Sequence, residues 1–188
     1  LSSALLKRVD VGRKSMVYEI KKAIYRVESI IKATLMFSKG VMPQKAFHSL
    51  ESIQENTQEI LNYTNCTKPY RLDFDFPKEA QIWCDIDLLV IVLQNFLSNA
   101  IDAIEEGECE EGEIKIAYKE DEQSYIFAIS DNGKEIKDSS ILFEPFKTTK
   151  LKGTGLGLAL CKQIIEAHEG TQAATDAQEA LDTQNAQK

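Results

Sequence analysis

Asn95, Asn99 and Asp102 stand at i, i+4 and i+7 in the segment 94-QNFLSNAIDAI-104. On a helix they share one face. A polar stripe on an otherwise apolar helix calls for a ligand or a satisfied polar seam. An amide oxygen is a hard ligand suited to Mg²⁺, which keeps several waters and phosphate oxygens as well. A second polar group, 130-SDNGKEI-136, follows a strand-like run. Its Asp131 is placed to accept the exocyclic amine of an adenine, and Gly133 leaves room for close backbone approach. Alone, Asp-Asn-Gly is an ordinary turn. In 142-LFEPFKTTK-150, Phe143 and Phe146 flank Pro145, while Lys147 and Lys150 carry charge suited to phosphate. In 153-GTGLGLAL-160, Gly153, Gly155 and Gly157 alternate with Thr154 and Leu156 as a helix opens. Backbone amides at such a start face anions, and the helix dipole favours negative charge there. No strand immediately precedes these glycines, which argues against a dinucleotide-binding βαβ unit.

These groups need a scaffold. Gln81–Cys84 is short and strand-like, and Asp85 or Asp87 is a candidate cap for a long apolar helix reaching Ile104. The acidic run 105-EEGECEEGE-113 reads as a solvated loop. Ile114, Ile116 and Tyr118 then alternate with polar residues, as in a half-buried strand. Tyr125–Ser130 predicts another strand, and Leu156–Ala167 a helix. The roughly twenty intervening residues form a loop of the length that usually has a function, often as a lid.

Upstream, the apolar residues from Arg13 to Lys39 recur in helical steps: Ile20, Ala23, Val27, Ile30, Thr34 and Phe37, with Val17, Ile24 and Ile31 widening the stripe. Gly40 and Pro43 end this helix. A second helix is expected from about Gln44 to Tyr63, making a hairpin that dimerises into a four-helix bundle; the alternative packs it on the following domain. Residues 65–77 read as a linker or short extended stretch. The expectation is an α+β protein: a helical hairpin over 1–68, then an α/β sandwich with mixed sheet over 69–188. The tail from Thr171 holds one large aliphatic residue, Leu181, and no strand pattern.

The chain has 188 residues, and a net charge of -8 argues against nucleic acid and anionic membrane as main partners. Cys66, Cys84, Cys109 and Cys161 lie far apart, without the spacing of a metal site, and suit reduced cytoplasmic thiols. No run reaches the roughly 18 apolar residues of a membrane span. The sequence opens within a helical pattern, which suggests a piece of something longer.

Taken together, the four segments resemble the N, G1, F and G2 boxes of sensor histidine kinases, within the wider gyrase, Hsp90 and MutL group of ATP-binding folds. The resemblance covers about Ile82 to His168. It implies ATP under a flexible lid, Mg²⁺ on Asn99, adenine on Asp131 and phosphates on 153-GTGLG-157. It also implies a homodimer through the helical hairpin and a response regulator receiver domain as partner. Hydrolytic relatives carry a water-activating glutamate four positions before the magnesium asparagine. Here Asn95 stands there, and an amide is no general base at neutral pH. This favours phosphoryl transfer to protein over hydrolysis.

Departures from the family pattern bear on turnover. The phosphoacceptor motif aligns best with 18-YEIKKAI-24, so Tyr18 takes the histidine's place and Glu19 that of the orienting base. A phenol with an ordinary pKa near 10 is a poor substitute for imidazole. His48 lacks an acidic neighbour, and His168 in 166-EAHEG-170 reads as structural. Glu135 stands where the G1 box usually has a second glycine. Two readings follow: the cytoplasmic core of a two-component kinase with an altered acceptor, or a nucleotide-binding pseudokinase acting as a dimeric interaction module.

Overall fold

The computed structural model describes residues 16, 20, 23–24, 27, 30–32, 34–36, 38–61, 66–121, 124–136, 142–147 and 155–170. The elements run β1 (Ala46–Ser49), α1 (Leu50–Leu61), β2 (Tyr70–Asp75), β3 (Gln81–Cys84), α2 (Ile86–Glu106), β4 (Gly112–Glu120), β5 (Tyr125–Asp131) and α3 (Gly157–Ala167). Strands β2 and β4 pair in parallel, and β4 and β5 antiparallel, so the sheet is mixed as expected. β1 and β3 form a separate antiparallel pair.

The core follows from α2. Leu97, Ala100, Ile101 and Ile104 on its second half pack against Ile114 and Ile116 of β4. Leu89 and Leu93 pack with Leu50, Ile53, Ile82 and Cys84. Leu88 and Val92 pack with Leu160, Cys161 and Ile164 of α3. Burying each such aliphatic side chain contributes about 1.5–3 kcal/mol before entropy. One helix thus carries apolar residues toward three neighbours. Asp85 caps its start, accepting from the Leu88 N–H at 3.1 Å. At its far end Lys68 Nζ donates to the carbonyls of Ile104 (3.0 Å) and Gly107 (2.6 Å), which the helix itself leaves unpaired. With a mean hydropathy of 1.4, α2 alone among the described residues is long and apolar enough to span a membrane. This corrects the expectation that no run qualifies, and its burial identifies it as the core helix.

The helix predicted over about 44–63 is found only in its later part. Its first part is β1, and only Leu50–Leu61 is helical. Ser49 breaks the pattern: its Oγ accepts from the Ser52 N–H at 3.2 Å, a cap that starts the helix there. Phe47 meanwhile lies beside Trp83 across the β1–β3 pair, with ring centroids 4.8 Å apart. Leu50 and Ile53 then bury in the same cluster as Ile82, Leu89 and Tyr118. Through Leu50 and Ile53, residues 46–61 therefore pack with the sheet-bearing domain. The stretch read as a linker or short extended run contains β2, whose residues alternate half-buried and exposed.

The described residues between Met16 and Lys39 are helical. Gly40, at φ 76°, ends the segment by donating its N–H to the Met36 carbonyl at 2.9 Å. Met16, Ile20, Ile24, Val27, Ile31 and Leu35 are all at least half exposed. The described part of the apolar stripe is thus not covered by the domain; among the described residues of this segment, Met36 and Val41 reach its core.

Candidate functional site

The site is organised by three positions on one face of α2: Asn95, Asn99 and Ala103, at i, i+4 and i+8. Each outer position seats the backbone of another segment. A Cβ on Gly133 would stand 2.5 Å from the Ala103 carbonyl carbon and 2.6 Å from the Ile104 nitrogen. The turn after β5 therefore lies directly on α2. The Lys134 N–H donates to the Ala103 carbonyl at 2.9 Å and holds it there. Lys134 Nζ adds an exposed ion pair with Glu106. Asn132 ties the same turn to β4: its Oδ1 accepts from the Glu113 N–H at 2.7 Å and its Nδ2 donates to the Glu111 carbonyl at 3.1 Å. Gly133 thus has a packing reason to be glycine in addition to any close approach to a base.

Asp131 projects from the end of β5 into this fixed turn and accepts from the Gly133 N–H at 2.9 Å. Desolvation raises its carboxyl pKa above the usual aspartate value, opposed by that hydrogen bond. Asp131 nonetheless stays exposed at the strand end, and its carboxylate oxygens can accept from an exocyclic amine.

At the other seat, a Cβ on Gly157 would meet Asn95 Oδ1 at 2.5 Å. Asn95 is itself held, its Nδ2 donating to the Ile91 carbonyl at 2.8 Å. The first residue of α3 thus rests against the Asn95 amide. Leu156, in the cap position, makes no side-chain cap hydrogen bond, though its carbonyl accepts from the Leu160 N–H at 2.8 Å, and the first turn carries no acidic residue. Such a helix start suits an anion. Gly155 adopts φ 65°, and its missing Cβ would stand 2.5–2.7 Å from the backbone of Phe146 and Lys147. The Phe146 N–H donates to the Gly155 carbonyl at 2.9 Å. Phe146 itself takes a left-handed φ of 64° and leaves its ring 75% exposed.

Asn99 therefore lies between the seat of the Asp131 turn and the seat of the glycine-opened helix, with Asp102 further along α2. The structure brings together Asn95, Asn99, Asp102, Asp131, Gly133, Gly155, Leu156 and Gly157. An amide oxygen near an anion-binding helix start fits a Mg²⁺ ion that is mostly coordinated by phosphate and water. Tyr18, Glu19, Lys150, Gly153 and Thr154 lie outside the described residues. Sequence reasoning missed Ala103 and Gly107 as the ledge under the Asp131 turn. Their signal was a small residue four positions after Asn99 and a glycine just past the helix end. His168 is structural, as expected: its Nε2 accepts from the Asp85 N–H at 3.1 Å.

Residues 84–184 match the family described as histidine kinase-, DNA gyrase B- and HSP90-like ATPase. That is more than half of the sequence, and the chain belongs to this family. Its relatives are sensor kinases. The chain is 48% identical over 180 residues to sensor histidine kinase FlgS of Helicobacter pylori, covering 95% of this chain and 47% of that protein. It is 36% identical over 160 residues to signal transduction histidine-protein kinase AtoS of Escherichia coli, covering 80% of this chain and 25% of that protein. The chain thus spans less than half the length of these relatives. Among solved structures, Acinetobacter baumannii histidine kinase AdeS matches with a TM-score of 0.63 at 23% identity, over 90% of this chain and 80% of that one. Full-length ShkA in complex with AMPPNP matches at 0.64 and 20%, over 87% and 36%. Histidine kinase ThkA in complex with the response regulator protein TrrA matches at 0.62 and 23%, over 90% and 50%. These three likenesses describe the fold.

Proposed function

We propose that this chain binds Mg²⁺-ATP and transfers its γ-phosphoryl group to a histidine of a protein acceptor, as the catalytic part of a two-component sensor kinase. The observation that carries the reading is the double seat on α2, which holds a partly desolvated carboxylate and a glycine-opened helix start on either side of Asn99. Asp131 accepts the adenine amine, the 153–157 amides and Lys150 hold phosphates, and Asn99 is the protein ligand of Mg²⁺. When bound, the ion neutralises phosphate charge. Asn95 supports transfer over hydrolysis, because its amide takes no proton from water; its Nδ2 is bonded to the Ile91 carbonyl and its Oδ1 lies against Gly157. Positioning and electrostatics then carry most of the rate.

The catalytic domain begins near residue 46 in this proposal, since β1 pairs with β3 and α1 shares the core. The helical segment before it presents an apolar stripe suited to a helical bundle in a cytoplasmic homodimer. Tyr18 occupies the acceptor position only if this segment opens a hairpin closed by residues 44–63. The commitment of α1 to α2 favours a histidine acceptor outside these 188 residues, with a response regulator receiving the phosphoryl group next. The second reading, a pseudokinase module, is favoured by Glu135, which is exposed where a glycine is usual. The test is to supply γ-labelled ATP together with a histidine-bearing hairpin from a relative. Acid-labile, alkali-stable label on the hairpin is expected. Nucleotide binding with no transfer supports the module instead.

A further inference from the structure

A hydrogen-bond node at the base of the helical segment is not used by the nucleotide site. Asp85 makes four bonds: its Oδ1 caps α2 at Leu88, its carbonyl accepts from the Leu89 N–H at 3.0 Å, its Oδ2 accepts from the Gln44 N–H at 2.7 Å, and its own N–H donates to His168 Nε2 at 3.1 Å. His168 Nδ1 lies 2.8 Å from the Ile164 carbonyl, so the ring is the Nδ1–H tautomer, donating into α3 and accepting from α2. Lys45 Nζ donates to the His168 carbonyl at 3.4 Å. Beside the node runs a cleft of about 570 Å³ between Met36, Val41 and Gln44 on one side and Asp85 and Leu88 on the other. Met36 and Val41 also pack against the cluster shared by α2 and α3. Residues 40–45 are therefore fastened at once to the start of α2 and to the end of α3. Those helices carry Asn99 and the glycine seat.

We propose that Asp85 and His168 are positioning residues for phosphoryl transfer, carrying the placement of residues 40–45 into both helices of the nucleotide site. The inference rests on the kinase reading above. Two rigid helices pinned at one end hold their relative placement along their length, so a shift of the helical segment reaches the Asn95–Gly157 seat as a change in how α3 lies on α2. Coupling of this kind is reciprocal: nucleotide at the far end must also tighten the node.

The test compares wild type with His168→Leu, His168→Gln and Asp85→Asn. Glutamine offers an amide oxygen in place of Nε2. Asp85→Asn keeps an oxygen for the Leu88 cap, a role asparagine fills well, but sets an amide NH₂ against the Gln44 N–H. His168→Leu and Asp85→Asn are expected to lower kcat for transfer to a supplied histidine-bearing hairpin by roughly fivefold, the scale of one hydrogen bond, and to weaken binding of an ATP analogue by no more than about that factor, as reciprocal coupling requires. His168→Gln should recover most of the loss. In amide exchange, a non-hydrolysable ATP analogue should slow the Gln44 and Asp85 amides in wild type and His168→Gln. Asp85→Asn should lose the effect at Gln44. The proposal is overturned if KM rises while kcat holds, if His168→Gln fares no better than His168→Leu, or if the Gln44 amide ignores nucleotide in wild type. The exchange arm needs only binding, so absence of transfer in wild type counts against the kinase reading while exchange still decides this one. Should His168→Leu fail to fold, Asp85→Asn decides.

Discussion

The seat of α3 on α2 makes a quantitative prediction at Gly157. An alanine there places its Cβ 2.5 Å from Asn95 Oδ1. Asn95 cannot turn aside without releasing the Ile91 carbonyl. Overpacking of this kind costs about 1–3 kcal/mol. Alanine regains at most about 1 kcal/mol of helix propensity over glycine. Gly157→Ala alone should therefore destabilise by about 0–2 kcal/mol, the difference of those two figures. In Asn95→Ala/Gly157→Ala the obstruction is gone and the propensity gain remains. The interaction energy across the cycle should then be about 1–3 kcal/mol in favour of the double variant. The assay is denaturant unfolding of all four proteins without nucleotide, which keeps any ligand role of Asn95 out of the measurement. Additivity within about 0.5 kcal/mol would refute the reasoning, because it would mean that Gly157 and Asn95 do not touch as described.

Four further outcomes follow from burial and charge. Asp131 must be ionised to accept an amine, and desolvation raises its pKa, so ATP affinity should fall with acidification at a higher pH than an ordinary aspartate would give; titrations across pH 4 to 8, roughly spanning that window, check this in wild type and Asp131→Asn. The same raised pKa means that the folded state holds this proton more tightly than the unfolded chain, so stability falls as pH rises between the two values; Asp131→Asn should remove that slope while weakening ATP. Ile101, 1% exposed between α2 and β4, should cost about 2–5 kcal/mol when cut to alanine, read by the same unfolding assay. Burial pushes Cys84 up to about 11 and Cys161 up to about 12, so a thiol reagent at neutral pH should label neither before unfolding, whereas the less buried Cys109 reacts in the native protein.

The site was more legible than the scaffold upstream of it. Asn95, Asn99 and Asp102 announced themselves by helical spacing, and α2, β3, β4, β5 and α3 fall where period and capping placed them. The local signals there agree with the tertiary ones: Asp85 caps, Ile114, Ile116 and Tyr118 alternate, and glycines open α3. Residues 44–63 misled because Phe47, Leu50, Ile53 and Thr57 continue a helical period through a strand. The deciding partner, Trp83 on β3, is distant in sequence, and the cap at Ser49 was the one local cue. β2 was obscured by its flanking prolines, although YRLDFD alternates. The packing role of Gly133 was invisible for a different reason: its constraint comes from Ala103 and Ile104, which only folding brings near. A glycine's neighbours are not written beside it.

The most direct test of the account is calorimetric titration of ATP into the wild-type chain and Asn99→Ala, each with and without Mg²⁺. The account predicts binding by wild type that Mg²⁺ strengthens, and residual binding by Asn99→Ala that Mg²⁺ leaves unchanged. No ATP binding by wild type, or a Mg²⁺ increment that survives in Asn99→Ala, would contradict the placement of the nucleotide between the two seats on α2.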